Sequence, residues 1–257
     1  MTMSKKELDN KHQFALFVSD LSELIANSSS GQLVHLADTS LYHRIYSVLR
    51  LKPGEELLFF DQKVHIRCLL QSSERKHEIT CELLEKIANT NLTPSITFLL
   101  PLLKRDDLEQ ALYSLVELGA TTIQLVMTEK VHRSWGGKKE FERLHRIMIS
   151  AAEQSKNFVV PDLHEPKPLE VVCNELGSSI QKIFFDPHGQ PLGQVIKSVS
   201  EHKNDQLVLL IGPEGDLTPR EKEFIRSMSF QFCALTPTVL RSFQAAALGL
   251  GIFRSLV

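Results

Sequence analysis

The chain has 257 residues, 42% of them hydrophobic and 23% charged, with a formal net charge of -2. That composition can bury a real core, which argues against chain-wide disorder, and the near-neutral balance excludes the global positive field of a strongly basic nucleic-acid binder. Four cysteines without a C-x-x-C pair argue against a zinc cluster and a disulfide framework, and no stretch reaches the roughly 18 apolar residues of a membrane span.

The first 14 residues are polar and lack the apolar region of a secretion signal, which places the protein in the cytoplasm with no membrane partner. From Gln13 to about Lys86 the pattern is one of short strands, at Phe14–Val18, Glu56–Phe60, Val64–Leu70 and Glu78–Leu84. Asp61-Gln62-Lys63 is a polar interruption of hairpin length, and Pro53-Gly54 punctuates the approach to the second of these strands. A small barrel-like domain over residues 1–90 is expected. The turn-prone segment from Ile87 to Pro94 marks its boundary.

Residues 91–257 change rhythm, with strands alternating with helices. An apolar run, Ile96–Leu103, precedes a helix in which Leu108, Ala111, Leu112, Leu115, Val116 and Leu118 recur at helical spacing, and Gly119 supplies the stop. Ile123–Met127 reads as a buried strand and Lys138–Lys156 as a long amphipathic helix, with another helix after Pro168. Further strands are predicted at Ile180–Phe185, Leu207–Ile211 and Phe230–Leu235, and helices at Gln190–Ser200, Pro219–Met228 and Ser242–Leu256. Such alternation predicts an α/β domain built on a parallel sheet covered on both faces.

The most informative stretch is Leu209-Leu210-Ile211-Gly212-Pro213-Glu214-Gly215-Asp216-Leu217-Thr218-Pro219-Arg220-Glu221. An apolar strand ends there in a glycine-bounded turn and enters a helix, with Thr218 as N-cap, Pro219 at the first helical position and Glu221 completing a capping box. Paired glycines at the carboxyl end of a parallel strand let the backbone approach a ligand closely. A second strand ends at Leu235-Thr236-Pro237-Thr238-Val239-Leu240-Arg241 and leads into a final helix rich in alanine and glycine. Lys104-Arg105, with the run from Lys130 through His132, Arg133, Lys138, Lys139, Arg143 and Arg146, forms the best basic patch, either an RNA-binding surface on which Trp135 could stack a base or simply a solvated helix face.

This pair of loops, Ile-Gly-Pro-Glu-Gly and then Val-Leu-Arg before an alanine-rich terminal helix, resembles the RsmE-type 16S ribosomal RNA uracil-N3 methyltransferases of the SPOUT superfamily. Leu49-Arg50-Leu51-Lys52-Pro53-Gly54-Glu55-Glu56-Leu57 is similar to the PUA-like amino-terminal domain of that family, and Glu117-Leu118-Gly119 and Ala151-Ala152-Glu153-Gln154-Ser155 resemble its middle signatures. The resemblance implies a PUA-like RNA-binding β-barrel at residues 1–90 and a SPOUT domain with a deep trefoil knot at residues 91–257. It also implies a homodimer, 16S rRNA or the small ribosomal subunit as partner, and S-adenosyl-L-methionine as cofactor.

Carried over by position, the cofactor loops are Phe184–Pro187, Leu210–Gly215 and Leu235–Arg241, with Phe184, Asp186, Leu210, Gly212, Pro213, Gly215, Leu235, Thr236 and Leu240 binding the cofactor. Leu210, Leu235 and Leu240 would form apolar walls, and the backbone at Gly212, Gly215 and Thr236 would bond its polar ends. Arg241, to hold phosphate or orient the target uracil, and Glu214, to tune the active site or serve only as a structural hydrogen-bond acceptor, are the candidate catalytic residues, and Arg50, Lys104, Arg105 and Arg133 the candidate RNA contacts; no metal is required.

The chain departs from the family pattern at Phe243-Gln244 in place of Glu-Thr, Asp216 in place of glycine, Ser114 in place of lysine and Asn157 in place of arginine. These changes bear on substrate identity more than on cofactor binding, and they keep open a non-catalytic or altered-specificity RNA-binding protein of the same fold. A dehydrogenase or NTPase is disfavoured, because neither G-x-G-x-x-G after a first strand nor G-x-x-x-x-G-K-[ST] occurs.

Overall fold

The computed structural model describes residues 13–72, 75, 77–131, 133–201 and 205–256, with the side chains of 200 and 201 left aside. His132 of the basic run lies outside the described residues. The chain divides into two compact units, Met1–Thr90 and Asn91–Val257.

The first unit holds a five-stranded sheet made of β1 (Ala15–Phe17), β2 (Leu33–Leu36), β3 (Glu56–Phe60), β4 (Val64–Leu70) and β5 (Ile79–Ala88), in the order β1-β3-β4-β5-β2. β1 pairs with β3 in parallel and the other pairs are antiparallel. The turn between β3 and β4 is built around Asp61, which is buried and accepts hydrogen bonds from the backbone N–H groups of Lys63 (2.7 Å), Val64 (2.8 Å) and Ser22 (2.6 Å). Burial pushes its carboxyl pKa up, but these bonds to the charged form outweigh it and leave the pKa below the ordinary value. β2 was not foreseen. Only Val34 and Leu36 of its four residues face the core, too few for a periodicity to register.

The second unit is an α/β layer structure around a six-stranded, wholly parallel sheet. Its strands are β6 (Ser95–Pro101), β7 (Thr122–Met127), β8 (Asp162–Pro168), β9 (Gln181–Pro191), β10 (Gln206–Ile211) and β11 (Gln231–Ala234), in the order β11-β9-β10-β6-β7-β8. Among its helices are α1 (Arg105–Glu117), α2 (Gly137–Ser155), α3 (Pro219–Ser227) and α4 (Ser242–Ser255). Central strands read as continuous apolar runs because both faces are covered, and Leu207–Ile211 is buried throughout. β8 escaped prediction for the opposite reason: Asp162-Leu163-His164-Glu165-Pro166-Lys167-Pro168 is polar and proline-bearing, which only a sheet edge tolerates.

The last helix closes the unit. Arg254 of α4 donates from Nη1 to the Pro94 carbonyl (2.7 Å) and from Nη2 to the Gly119 carbonyl (2.6 Å), tying the helix to the start of β6 and to the end of α1. Gly119 sits at φ 82°, the left-handed stop anticipated from sequence. Gly249 lets α4 lie directly on the Phe185 ring, since a Cβ at that position would fall 2.2 Å from a ring carbon. Gly249→Ala should therefore destabilise the protein by about 1–3 kcal/mol through overpacking, read as a lower thermal midpoint. An unchanged midpoint would refute this close packing.

Candidate functional site

The second half of β9 and the segments that follow β10 and β11 come together around a cavity of about 760 Å³. Phe185–His188, Ile211–Asp216 and Cys233–Ala245 contribute to the lining, joined by Lys104 and Asp107 from the start of α1. This is where open parallel sheets hold ligands, and the volume suits a molecule of nucleoside size.

The middle segment is locally rigid for reasons visible in its residues. Thr218 Oγ1 accepts from the Glu221 N–H (3.2 Å) while Glu221 accepts from the Thr218 N–H (2.8 Å), the anticipated capping box at the start of α3. Buried Glu221 also accepts from the Glu129 N–H (2.8 Å), and Lys130 Nζ donates to the carbonyls of Gly215 (2.8 Å) and Leu217 (3.3 Å). Glu214 Oε1 accepts from the Lys104 N–H (2.9 Å), so this loop also braces the entry to α1. Asp216 adopts φ 60°, a left-handed conformation that explains why glycine suits the position and why aspartate is among the few replacements tolerated there.

Of the residues carried over for cofactor binding, Asp186, Gly212, Pro213, Leu235, Thr236 and Leu240 line the cavity. Phe184 and Leu210 do not: both are fully buried in the core, and Phe185 and Ile211 supply the apolar wall instead. Side chains alternate between the two faces of a strand, so a one-residue misjudgement of facing moves a side chain to the opposite side of the sheet. Gly215 lines a smaller neighbouring cleft of about 470 Å³ with Lys104, Lys130 and Arg133. Glu214 and Lys104 belong to both spaces, and Arg241 is exposed in the wall of the larger one.

Sequence reasoning missed Lys222. Its ammonium donates to Asp186 (2.6 Å) and to Asp216 (2.6 Å), joining β9 to the turn after β10. Burial pushes the Asp186 carboxyl pKa up, but Lys222 and the His188 N–H overcome this and leave it lowered; for Lys222, burial pulls down and the two carboxylates lift it above its ordinary value. Its position four residues after an N-cap on an acidic loop was the available signal. Cys233 also lines the cavity, and burial pushes its thiol up to about 11, so it is protonated and unreactive at neutral pH.

The basic patch is partly neutralised by ion pairs. Arg105 pairs with Glu109 (3.4 Å), Arg133 with Glu140 (2.5 Å) and Arg143 with Glu109 (2.8 Å). Lys104 Nζ and the Arg241 guanidinium have no hydrogen-bond or ion-pair partner among the described residues. Trp135 is half-buried, with an enclosed and unpartnered Nε1, which limits its use as a stacking face. Arg50 lies exposed in the first unit at φ 55°.

A family model described as an RNA methyltransferase domain matches residues 90–254. "Ribosomal RNA small subunit methyltransferase E 2" of Borreliella burgdorferi is 22% identical over 246 residues, covering 90% of this chain and 95% of the relative. "Ribosomal RNA small subunit methyltransferase E" of Synechocystis is 27% identical over 223 residues, covering 85% and 72% of the two chains. A crystal structure of ribosomal RNA small subunit methyltransferase E from Neisseria gonorrhoeae bound to S-adenosyl methionine superposes with a TM-score of 0.80 at 26% identity, covering 95% of this chain and 98% of the other.

Proposed function

Because the chain belongs to the RNA methyltransferase domain family, we propose that it is an S-adenosylmethionine-dependent methyltransferase acting on N3 of a uridine in the 16S rRNA of the small ribosomal subunit. The observation that carries this reading is the cavity that β9 and the segments after β10 and β11 line together, with apolar side chains, backbone and carboxylates in its wall. The residues fit the cofactor. Phe185, Ile211, Leu235 and Leu240 suit a flat adenine, while the carboxylates of Asp107 and Glu214 suit a cationic sulfonium and ammonium.

When bound, S-adenosylmethionine supplies the electrophilic methyl group. The protein's part is to align uracil N3 and to handle its proton, so positioning and electrostatics contribute most. Arg241 holds the target nucleotide through phosphate or a uracil carbonyl oxygen. Glu214 keeps one carboxylate oxygen on the Lys104 N–H and presents the other, unpartnered among the described residues, as the group that receives or steers the N3 proton. Lys104, Arg105, Arg133 and Arg50 contact the RNA backbone.

The first unit is the PUA-like RNA-binding barrel of this reading, supported by its mixed five-stranded sheet. The trefoil knot is supported by topology: β11 lies beyond β9 at the sheet edge, yet the helix that follows it lies back against α1 and β10. A homodimer is supported by the apolar side chains of Val239, Leu248 and Leu256, which remain exposed around α4. No described helix is long and apolar enough to cross a membrane, in keeping with a cytoplasmic site of action.

Labelled methyl transfer from S-adenosylmethionine to small-subunit RNA, followed by mass mapping, tests the proposal. Label at uridine N3 is expected. Cofactor binding without label in any RNA would favour a non-catalytic RNA-binding role instead.

A further inference from the structure

The bridge made by Lys222 joins two segments that reach the cavity from different strands. Asp186 follows the apolar part of β9 and is buried, Asp216 sits at the left-handed position of the turn after β10, and both line the cavity. Lys222 does not line it: the side chain rises from α3 and is 17% exposed, with Nζ 5.9 Å from the centre of the Phe184 ring. A ligand in the cavity would therefore meet the two carboxylates and the loops that carry them, not the ammonium.

We propose that Lys222 is a positioning residue for the methyltransferase site, fixing the separation of β9 and the turn after β10 by holding Asp186 and Asp216 on one ammonium and so setting the affinity for the cofactor. The proposal rests on the reading of the cavity given above. The remaining bonds of the pair support it: Asp186 Oδ1 accepts from the His188 N–H (2.7 Å) and Asp216 Oδ1 from the Leu217 N–H (2.7 Å), so each carboxylate is also tied to its own loop. A shift of either carboxylate is then a shift of backbone.

Without the ammonium, two carboxylates would face each other across a partly buried gap, and like charges at that range repel unless they share a proton. The charged or titratable groups around them are His188 beside Asp186, and Lys104, Asp107, Glu214, Cys233 and Arg241 in the rest of the lining. None of these is bonded to both carboxylates. Relative to the parent, the affinity of Lys222→Met should thus fall as pH rises and the shared proton leaves.

The test is calorimetric titration of the full chain with S-adenosylmethionine and with S-adenosylhomocysteine, whose sulfur is uncharged. Loss of positioning weakens both ligands; a change of charge alone strengthens the cationic one and leaves the neutral one unaltered. Lys222→Met should bind both about tenfold more weakly than the parent at pH 8 and within about threefold of it at pH 5. Lys222→Met combined with Asp216→Asn should recover most of the loss at pH 8, because only one carboxylate remains.

Parent-like affinity of Lys222→Met for both ligands at pH 8, or tighter binding of S-adenosylmethionine alone, would overturn the proposal. Should that variant fail to fold, Asp216→Ala opens the bridge while leaving Lys222 on Asp186, and undiminished affinity there would overturn it equally. A parent that binds neither compound would sink the reading of the cavity itself, a different failure from parent-like binding by the variants.

Discussion

Gly212→Val lowers the affinity for S-adenosylmethionine by about 100-fold or more while the protein remains folded. Gly212 does not occupy a left-handed conformation, so the backbone accepts a branched residue, and its place in the cavity wall decides the outcome. A Cβ there would stand 3.1 Å from Asp216 Oδ1 and 3.5 Å from Asp216 Cα. The branched methyl groups of valine extend further, so they must either enter the cavity or push the turn away from β9. Entry removes volume and hides the backbone groups a ligand would use, and displacement breaks the Lys222 bridge. Each buried hydrogen bond left unmade costs about 1–3 kcal/mol, so two such losses, about 2–6 kcal/mol, span the roughly 2.8 kcal/mol of a hundredfold. Calorimetric titration checks the result against the thermal midpoint; parent-like affinity in a folded variant would remove the turn after β10 from the binding site.

Arg241→Ala separates binding from chemistry. Methyl transfer to small-subunit RNA should drop by about 100- to 1,000-fold, with cofactor affinity within about threefold of the parent. Arg241 precedes α4 in an extended conformation, makes no side-chain cap and is exposed, so its removal disturbs no interaction that holds the fold. Its planar guanidinium can bond two oxygens at once, which a lysine ammonium does as a single point of charge; Arg241→Lys should recover only part of the rate. Single-turnover rates with labelled cofactor measure both variants. Equal rates for parent and Arg241→Ala would remove this residue from the catalytic assignment, and a matching loss of cofactor affinity would make it a binding residue instead.

Much of this molecule is legible along the chain. The helix from Arg105 to Glu117 was readable from its apolar spacing, and β10 from an uninterrupted apolar run that only a strand covered on both faces requires. The capping box at Thr218–Glu221 was readable because all of its partners lie within four residues. Short or polar strands were not. β2 offers two inward residues, and β8 is stable only because β7 already presents an edge for it.

The site divides in the same way. Local sequence determined that the chain turns at Gly212–Gly215 and at Leu235–Arg241 and that helices begin after each turn, because glycine, proline and capping side chains act on their immediate neighbours. Tertiary structure alone decided that Phe185 and Ile211, not Phe184 and Leu210, face the cavity, since the parallel register of β9 and β10 orients both strands together. It alone decided that one ammonium from α3 holds one carboxylate from β9 and another from the turn after β10. Facing and pairing are relations between segments distant in sequence, and no periodicity within either segment encodes them.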